Sequence, residues 1–381
     1  MIRMNRSFGP FCRVLLLLLA AALFPAGAAA HTAASSAGRA EDTAAQEIAE
    51  EEPDVKRIVL GHVGDSYEWH IATAGGREWS LPLPVIVHSP SSGWHCFSAK
   101  RLRGGAEYEG LRIAADGDHA GKIVERQADG SDLRPLDLSI TKTVAGLLLN
   151  SALVVALVLG AARWYRGRKP DAAAPRGVVG LFETLVESLV DDLIEPCVGP
   201  SYRRFAPYLL TVFCFIFLNN LMGLIPFFPG GANVTGNIAV ALVLAVATFL
   251  VVNLSGSRRY WKDIFWPDVP TWLKVPVPII PLIELVGVFT KPFALMIRLF
   301  ANMLAGHAVI LSLTCVVFVT VKMGAAVNAS MTALSVLFSI FMNCLELLVA
   351  FLQAYVFTML SAVFIGLAQE RGGEADAGAE K

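Results

Sequence analysis

Charge is scarce in this sequence. Of its 381 residues, 17% are charged and 55% are hydrophobic, and the formal net charge is −1. A chain that is nearly neutral lacks the excess of basic residues that draws a protein to nucleic acid. The composition therefore gives no support to a general role in nucleic-acid binding.

Two kinds of motif are missing as well. The six cysteines form no Cys-x-x-Cys pair, so neither a zinc site nor a disulfide framework is indicated. The sequence contains no Gly-x-x-x-x-Gly-Lys-Ser/Thr motif, so we do not expect it to bind or hydrolyse nucleotide through a P-loop. No cofactor is expected.

Long hydrophobic runs are abundant, and one of them contains a permanent charge. Arg298 lies inside an apolar stretch at about 281–321. An arginine keeps its charge at any ordinary pH, and placing it at the centre of a bilayer costs about 3 kcal/mol by the lowest estimates. Such a residue indicates an ion pathway or, alternatively, a structural ion pair within a helical bundle.

Residues 1–30 have the pattern of a secretory signal peptide. Three arginines precede an apolar run at 14–24, and small residues at 28–30 follow it. The run is shorter than the roughly 20 residues that span a bilayer, which favours a signal peptide over a retained anchor helix. Residues after 30 would then start outside the cytoplasm.

Residues 31–138 are polar and unlike a membrane segment. The acidic, alanine-rich stretch 41–54 predicts a disordered linker. Short β-type runs separated by turns then predict a small β-rich extracytoplasmic domain, with strands at about 57–63, 67–73, 83–88, 94–98 and 111–114.

This region also contains residue types that bind metals, namely His62, His70, His88, His95 and Cys96. Their spacing matches no standard metal site. Ordinary packing or surface positions are therefore the simpler interpretation.

Five later segments are apolar and long enough to cross a membrane, at about 144–162, 208–228, 237–254, 279–321 and 329–367. Clusters of basic and aromatic residues at 163–169 and 258–262 mark the cytoplasmic side. We therefore predict a membrane domain at 139–370 that starts outside and leads to a cytoplasmic tail at 371–381.

A further helix is predicted at 177–194. Leucine and valine recur there at helical spacing, with acidic residues between them, so the segment is amphipathic and too charged to span. It could lie on the membrane surface, pack against a partner or be a solvated helix with one packed face. The expected fold is an all-α polytopic membrane protein with five transmembrane helices, one amphipathic surface helix and a small β-rich domain.

The last two membrane segments carry the polar residues of greatest interest. Arg298 and Asn302 are four residues apart and share one face of a helix, whereas His307 is nine residues from Arg298 and lies about 180° round it. On the final helix, Glu346 and Gln353 are seven residues apart and again share a face.

A short turn at 322–328 makes these two helices an antiparallel hairpin. Its register places Arg298 level with Gln353, and His307 level with Glu346 about 10–14 Å nearer the outside. The pKa of histidine is near neutrality, and burial can raise the pKa of a carboxyl group towards it. His307 and Glu346 therefore fit a pair that handles protons. Each could instead be a satisfied buried polar group. Asn302 and Gln353 are expected to support the pathway by hydrogen bonding.

The stretch 291–307, KPFALMIRLFANMLAGH, closely resembles the signature of subunit a of the F-type ATP synthase. The last helix around 346–357 and the segment NNLMGLIP at 219–226 are similar to corresponding parts of that family. The resemblance covers about 138–370. The domain at 31–138 is similar to the extension of long members of the family.

The resemblance implies a membrane stator without catalytic activity of its own, placed beside a rotating ring of c subunits. It also implies a peripheral stalk of b subunits, the rest of the F1Fo complex and a bacterial inner membrane. Protons would use two half-channels, separated by Arg298, which faces the ring. Gln353 and Asn302 match polar family positions near that arginine.

Three features depart from the family pattern, and the first is the domain at 31–138, which the familiar short members lack. In some members the outer half-channel has glutamate on the penultimate helix and histidine on the last, whereas His307 and Glu346 reverse that order. Gly223 stands where an acidic residue is often found.

Two other functions are weighed against a stator. An independent proton-coupled secondary transporter would be expected to show internal repeats and broken helices, which the sequence does not clearly show. A membrane sensor would be expected to have a cytoplasmic output domain, and the sequence gives no support for one.

Overall fold

The computed structural model describes residues 64–74, 77–114, 119–127, 131–166, 175–225, 230–266 and 279–376. The predicted signal peptide, the acidic linker and the strand expected at 57–63 lie outside these residues.

A small domain of antiparallel strands precedes the helices. Its sheets have the strand orders β1-β2, β4-β3-β8 and β5-β6-β7. The strands are β1 (Glu68–Ala74), β2 (Arg77–Pro82), β3 (Pro84–Ser89), β4 (Gly93–Ser98), β5 (Leu111–Ile113), β6 (Ile123–Arg126), β7 (Asp132–Leu133) and β8 (Leu136–Asp137).

Alternation along β3 supplies much of the core of this β domain. Val85 and Val87 are fully buried and Ile86 between them is not, because successive side chains of a strand point to opposite faces. Leu111 and Ile123 close the same core from β5 and β6. The expected small β-rich region is therefore present, with strands close to those predicted at 67–73, 83–88, 94–98 and 111–114. Strands β2, β6, β7 and β8 were not predicted.

The rest of the chain is helical. The helices are α1 (Lys142–Tyr165), α2 (Val178–Leu189), α3 (Tyr202–Leu224), α4 (Ile238–Ser255), α5 (Arg258–Phe265), α6 (Ile279–Thr320) and α7 (Ala325–Asp376). Five stretches of the described residues are long and apolar enough to cross a membrane, within Lys142–Tyr165, Val178–Leu224, Ile238–Ser255, Pro281–Thr320 and Ala325–Gln369. The predicted class, a polytopic helical membrane protein with a small β region, is confirmed.

The amphipathic segment packs on the bundle along one face. Helix α2 continues through a π-helical turn, Val190–Ile194, and a last turn, Glu195–Val198. Leu193 and Ile194 are buried, whereas Asp191 and Asp192 are exposed.

The end of α7 and the cluster at 258–262 differ from the sequence prediction. Helix α7 continues to Asp376, so the expected tail at 371–381 starts as helix, in keeping with the good helix formers Ala368, Gln369 and Glu370 just before it. The basic and aromatic cluster at 258–262 forms the short helix α5, which Ser257 caps by accepting a hydrogen bond from the Tyr260 amide at 3.1 Å.

Small side chains let the membrane helices approach one another. Ala241 and Ala245 on α4 and Ala350 and Ala354 on α7 are almost completely buried, and each pair has four-residue spacing. Phe213 of α3 is also fully buried in the main core. This packing fixes the mutual positions of α3, α6 and α7, which carry the candidate site.

Candidate functional site

Arg298 is directed away from the bundle. Its side chain is exposed, whereas Leu295, Met296 and Leu299 on the same helix are buried. Within the described residues it makes no hydrogen bond or ion pair. The nearby Phe293 is 60% exposed, so the arginine emerges from an apolar surface. Asn302, one turn further along α6, is also exposed.

Gln353 has the opposite environment. It lies on α7 and is 7% exposed, and no hydrogen bond joins it to Arg298 in the ranges that the structure describes. The role of Gln353 as hydrogen-bond support for the arginine therefore stays a prediction.

His307 and Glu346 are brought together across the hairpin of α6 and α7. The distance from His307 Nδ1 to Glu346 Oε1 is 2.7 Å. This contact agrees with the register that places the two residues at one level. Glu346 is 5% exposed, so the carboxyl group lies inside the protein.

The histidine ring has an acceptor at each nitrogen. Nδ1 also lies 3.0 Å from the Met303 carbonyl oxygen, and Nε2 lies 3.2 Å from the Gly223 carbonyl oxygen. A carbonyl oxygen can only accept, and a neutral imidazole has a single N–H. Each ring nitrogen therefore has a carbonyl acceptor within reach, so whichever nitrogen carries the proton can donate it to the backbone.

A glycine makes room for the carboxyl group. A Cβ atom at Gly306 would lie 2.8 Å from Glu346 Oε1 and 3.1 Å from its Cδ. Within the described residues Oε1 is a buried oxygen that makes no hydrogen bond, although His307 Nδ1 lies 2.7 Å from it. An acceptor in this state is available for a proton.

Two buried asparagines on α3 connect the site to other elements. The Asn219 Oδ1 accepts a hydrogen bond from Asn150 of α1 at 2.9 Å. The Asn220 Nδ2 donates to the Ala350 carbonyl at 3.2 Å, and its Oδ1 accepts from the Thr235 hydroxyl at 2.6 Å. Both asparagines are fully buried, and Ala350 is one turn from Glu346.

A cleft lies on the other side of Arg298. It encloses about 510 Å³, including open solvent space, and Glu284, Lys291, Asn253 and Tyr260 contribute polar groups to its lining. Lys291 precedes Arg298 by seven residues and His307 follows it by nine, which correspond to about 10 Å and about 14 Å along the helix. Two polar regions thus flank the arginine along α6.

Sequence reasoning missed this cleft. Lys291 is half-buried, with its ammonium group 5.6 Å from the centre of the Phe364 ring. The seven-residue spacing of Glu284 and Lys291 on one helix face was a signal that could have indicated it.

Histidines of the β domain make ordinary polar and aromatic contacts. His88 meets Trp94 edge-on, with ring centres 4.8 Å apart. His95 contacts the Ser92 hydroxyl at 2.7 Å and the Glu109 carboxylate. The bond from His95 is the main cause that lowers the pKa of Glu109. His62 lies outside the described residues.

The fold and the site together define a multi-pass membrane protein with ionisable groups inside and on its helical bundle. Residues 148–366 match the family described as ATP synthase A chain, and the chain belongs to that family. Residues 58–138 match a domain of unknown function, DUF8433.

Similar proteins have the same family name. "ATP synthase subunit a 2" of Chlorobaculum tepidum is 47% identical over 238 residues, which cover 61% of this chain and 64% of that protein. "ATP synthase subunit a" of Anaeromyxobacter dehalogenans is 34% identical over 333 residues, which cover 82% of this chain and 80% of that protein. The match to the Chlorobaculum protein thus spans a little less than two thirds of its length.

Proposed function

We propose that this chain is the proton-conducting stator subunit of the Fo sector of an ATP synthase, and that Arg298 faces the ring of c subunits. The observation that carries the proposal is the exposure of Arg298 on an apolar face of a membrane helix, with no partner among the described residues. A permanent charge in that position needs an opposite charge from outside the chain.

A carboxylate on the c ring fits that requirement. An arginine beside a carboxylate favours the ionised form, so an arriving ring carboxylate would release its proton near Arg298. The fixed positive charge would also repel a proton that moved directly from one half-channel to the other. Protons would then cross only by travelling with the ring.

The two polar regions that flank Arg298 supply candidate half-channels. The His307–Glu346 pair would carry protons in the outer one, with the buried Glu346 oxygen and the histidine ring exchanging a proton. The cleft lined by Glu284 and Lys291 would open the inner one. Asn302 is exposed beside Arg298 and would contact the ring.

The remaining assignments follow from family membership and the sequence pattern. The chain would sit in a bacterial inner membrane with the β domain outside and the C-terminus in the cytoplasm, after removal of residues 1–30 as a signal peptide. Its partners would be the c ring, the b subunits of the peripheral stalk and the rest of the complex.

Co-purification tests the assembly directly. The chain with a C-terminal affinity tag should be recovered from mild detergent with a c ring, b subunits and soluble ATPase subunits. Arg298→Ala should recover the same set, because the change removes a charge without altering buried packing. Recovery of the tagged chain alone, under conditions that keep the ATPase intact, would contradict the proposal.

A further inference from the structure

The β domain is attached to the first membrane helix at the start of that helix. The Lys142 amide donates a hydrogen bond to the Ser66 carbonyl at 2.8 Å, and the Thr143 amide donates to Asp65 Oδ1 at 3.0 Å. A carboxylate at a helix N-terminus is favoured by the helix dipole. The Ile140 amide adds a bond to the Pro84 carbonyl at 3.1 Å, so β3 is linked to the same helix start.

A tryptophan of this domain reaches into the membrane domain. Trp69 of β1 is 4% exposed and packs against Ala232 and Val234, which belong to the loop between α3 and α4. Its indole nitrogen donates a hydrogen bond to the Gly230 carbonyl at 3.2 Å. The segment 230–237 is called the α3–α4 loop below.

The same loop is confined from a second side by α1. A Cβ atom at Gly146 would lie 2.6 Å from the Ala232 Cβ and 3.3 Å from a Val234 methyl carbon. No larger residue at position 146 would fit without displacement of the loop. Trp69 and Gly146 therefore hold the loop between the β domain and the first membrane helix.

The loop in turn contacts the turn of α3 that serves the histidine. The Gly231 amide donates to the Met222 carbonyl at 3.2 Å, and a Cβ at Gly223 would lie 3.7 Å from the Ala232 carbonyl oxygen. The carbonyl of Gly223 accepts from His307 Nε2. Thr235 of the loop also holds Asn220, which bonds to α7.

We propose that the β domain docks on the α3–α4 loop through Trp69, and that this docking fixes the loop beside His307 and Glu346. Trp69 is then a positioning residue for proton access to the pair. This role rests on the proposed function, in which the pair lies in the outer half-channel. The domain at 64–138 thereby gains a definite task in proton conduction.

Hydrogen exchange of the intact complex tests the docking. Trp69→Ala should accelerate exchange of the loop amides of Gly231, Val234 and Asn237 by about tenfold or more, because it removes the packing that keeps this segment closed. Trp94→Ala is the control, since Trp94 is in the same domain and 62% exposed, and it should leave these amides unchanged. Unchanged exchange in Trp69→Ala would overturn the proposal.

Passive proton flow tests the positioning role. In membranes stripped of the soluble sector, flow should fall in Trp69→Ala and recover largely in Trp69→Phe, which keeps an aromatic ring against the loop. Gly146→Ala should also slow flow, whereas Gly160→Ala should not, since a Cβ at Gly160 meets nothing within 4 Å. If amide exchange is faster but proton flow is normal in both Trp69→Ala and Gly146→Ala, docking is purely structural. That result would overturn the positioning role.

The two proposals can fail separately. If the wild-type complex carried no proton flow through this chain, the proposed function would fall and the positioning role with it, while the exchange comparison of Trp69→Ala and Trp94→Ala would still decide the docking. If wild-type flow were present and sensitive to Arg298 but indifferent to Trp69 and Gly146, only the positioning role would fall.

Discussion

His307 Nδ1 and Glu346 Oε1 lie 2.7 Å apart, on two helices joined by a short turn. The histidine ring is already held by two backbone carbonyls, and the carboxyl group has an oxygen that lacks a hydrogen bond among the described residues. A proton placed on this pair can move between nitrogen and oxygen without rearrangement of the backbone. This short contact is what the proposed role of the pair in proton transfer requires.

Exchange of the two residues tests whether they act as a unit. His307→Ala or Glu346→Ala should slow passive proton flow through Fo without abolishing it, because water can bridge part of the path. His307→Glu combined with Glu346→His should restore much of what either half of the exchange loses. Flow is measured in membranes stripped of the soluble sector. A double exchange no better than the single changes would show that the two residues act independently.

Gly306 should be intolerant of even a methyl group. In Gly306→Ala the new Cβ would overlap Glu346 Oε1, so the carboxyl group must move away from His307. We expect proton flow to fall by about tenfold or more, since small displacements of reacting groups are costly. Gly287→Ala is the matched control on α6, because a Cβ there meets nothing within 4 Å. Equal flow in the two variants would contradict the close packing of Gly306 and Glu346.

The sequence predicted those features that depend on local periodicity. Helical spacing and a short turn were enough to set the register of α6 and α7, and so to pair His307 with Glu346. The contacts of Trp69 with Gly230 and of Asn220 with Thr235 join distant segments, and no periodic pattern reports them. The cleft at Lys291 was missed for the same reason, because four helices form it together.

Secondary structure in the β domain was harder to predict for a different reason. Strand β2 has the sequence REWSLP, in which charged and polar residues obscure the alternation that marks a strand. Strand β6 is only four residues long. Both are stabilised chiefly by their neighbours in a sheet, which a single stretch of sequence does not reveal.

Lys291 provides a test of the inner route. Lys291→Met keeps the length of the side chain and removes its charge from the cleft, so proton flow should fall severalfold while the complex assembles normally. Lys262→Met is the control, because Lys262 is exposed on α5 and does not line the cleft. ATP-driven proton pumping into inverted membrane vesicles is the measurement. Unaltered pumping in Lys291→Met would remove Lys291 from the pathway.

The β domain should lose stability in acid. Hydrogen bonds from Ser89, and then from Ser91, lower the pKa of Glu125, and a hydrogen bond from Arg103 is the first cause that lowers the pKa of Glu68. A carboxyl group whose pKa is lower in the folded state than in the unfolded state stabilises the fold at any pH above its pKa in the unfolded state. This stabilisation is lost as the pH falls through the pKa of the group in the folded state. Resistance of residues 64–138 to protease should therefore decline below about pH 4.5.

Substitution isolates the contribution of Glu125. Glu125→Gln can still accept a hydrogen bond from one of the two serines but cannot titrate, so its protease resistance should vary less steeply with pH than that of the wild type. Glu107→Gln, at an exposed position of the same domain, should follow the wild-type curve. Identical curves for Glu125→Gln and the wild type would exclude Glu125 as a source of the acid sensitivity.

Proton-driven ATP synthesis by Arg298 variants tests the central claim most directly. Arg298→Ala should abolish synthesis in complexes that retain the c ring, and Arg298→Lys should also fail, because a lysine is a compact charge that can lose its proton when buried. Arg258→Ala, at an exposed arginine of α5, should support normal synthesis. Near-normal synthesis by assembled Arg298→Ala complexes would contradict the account.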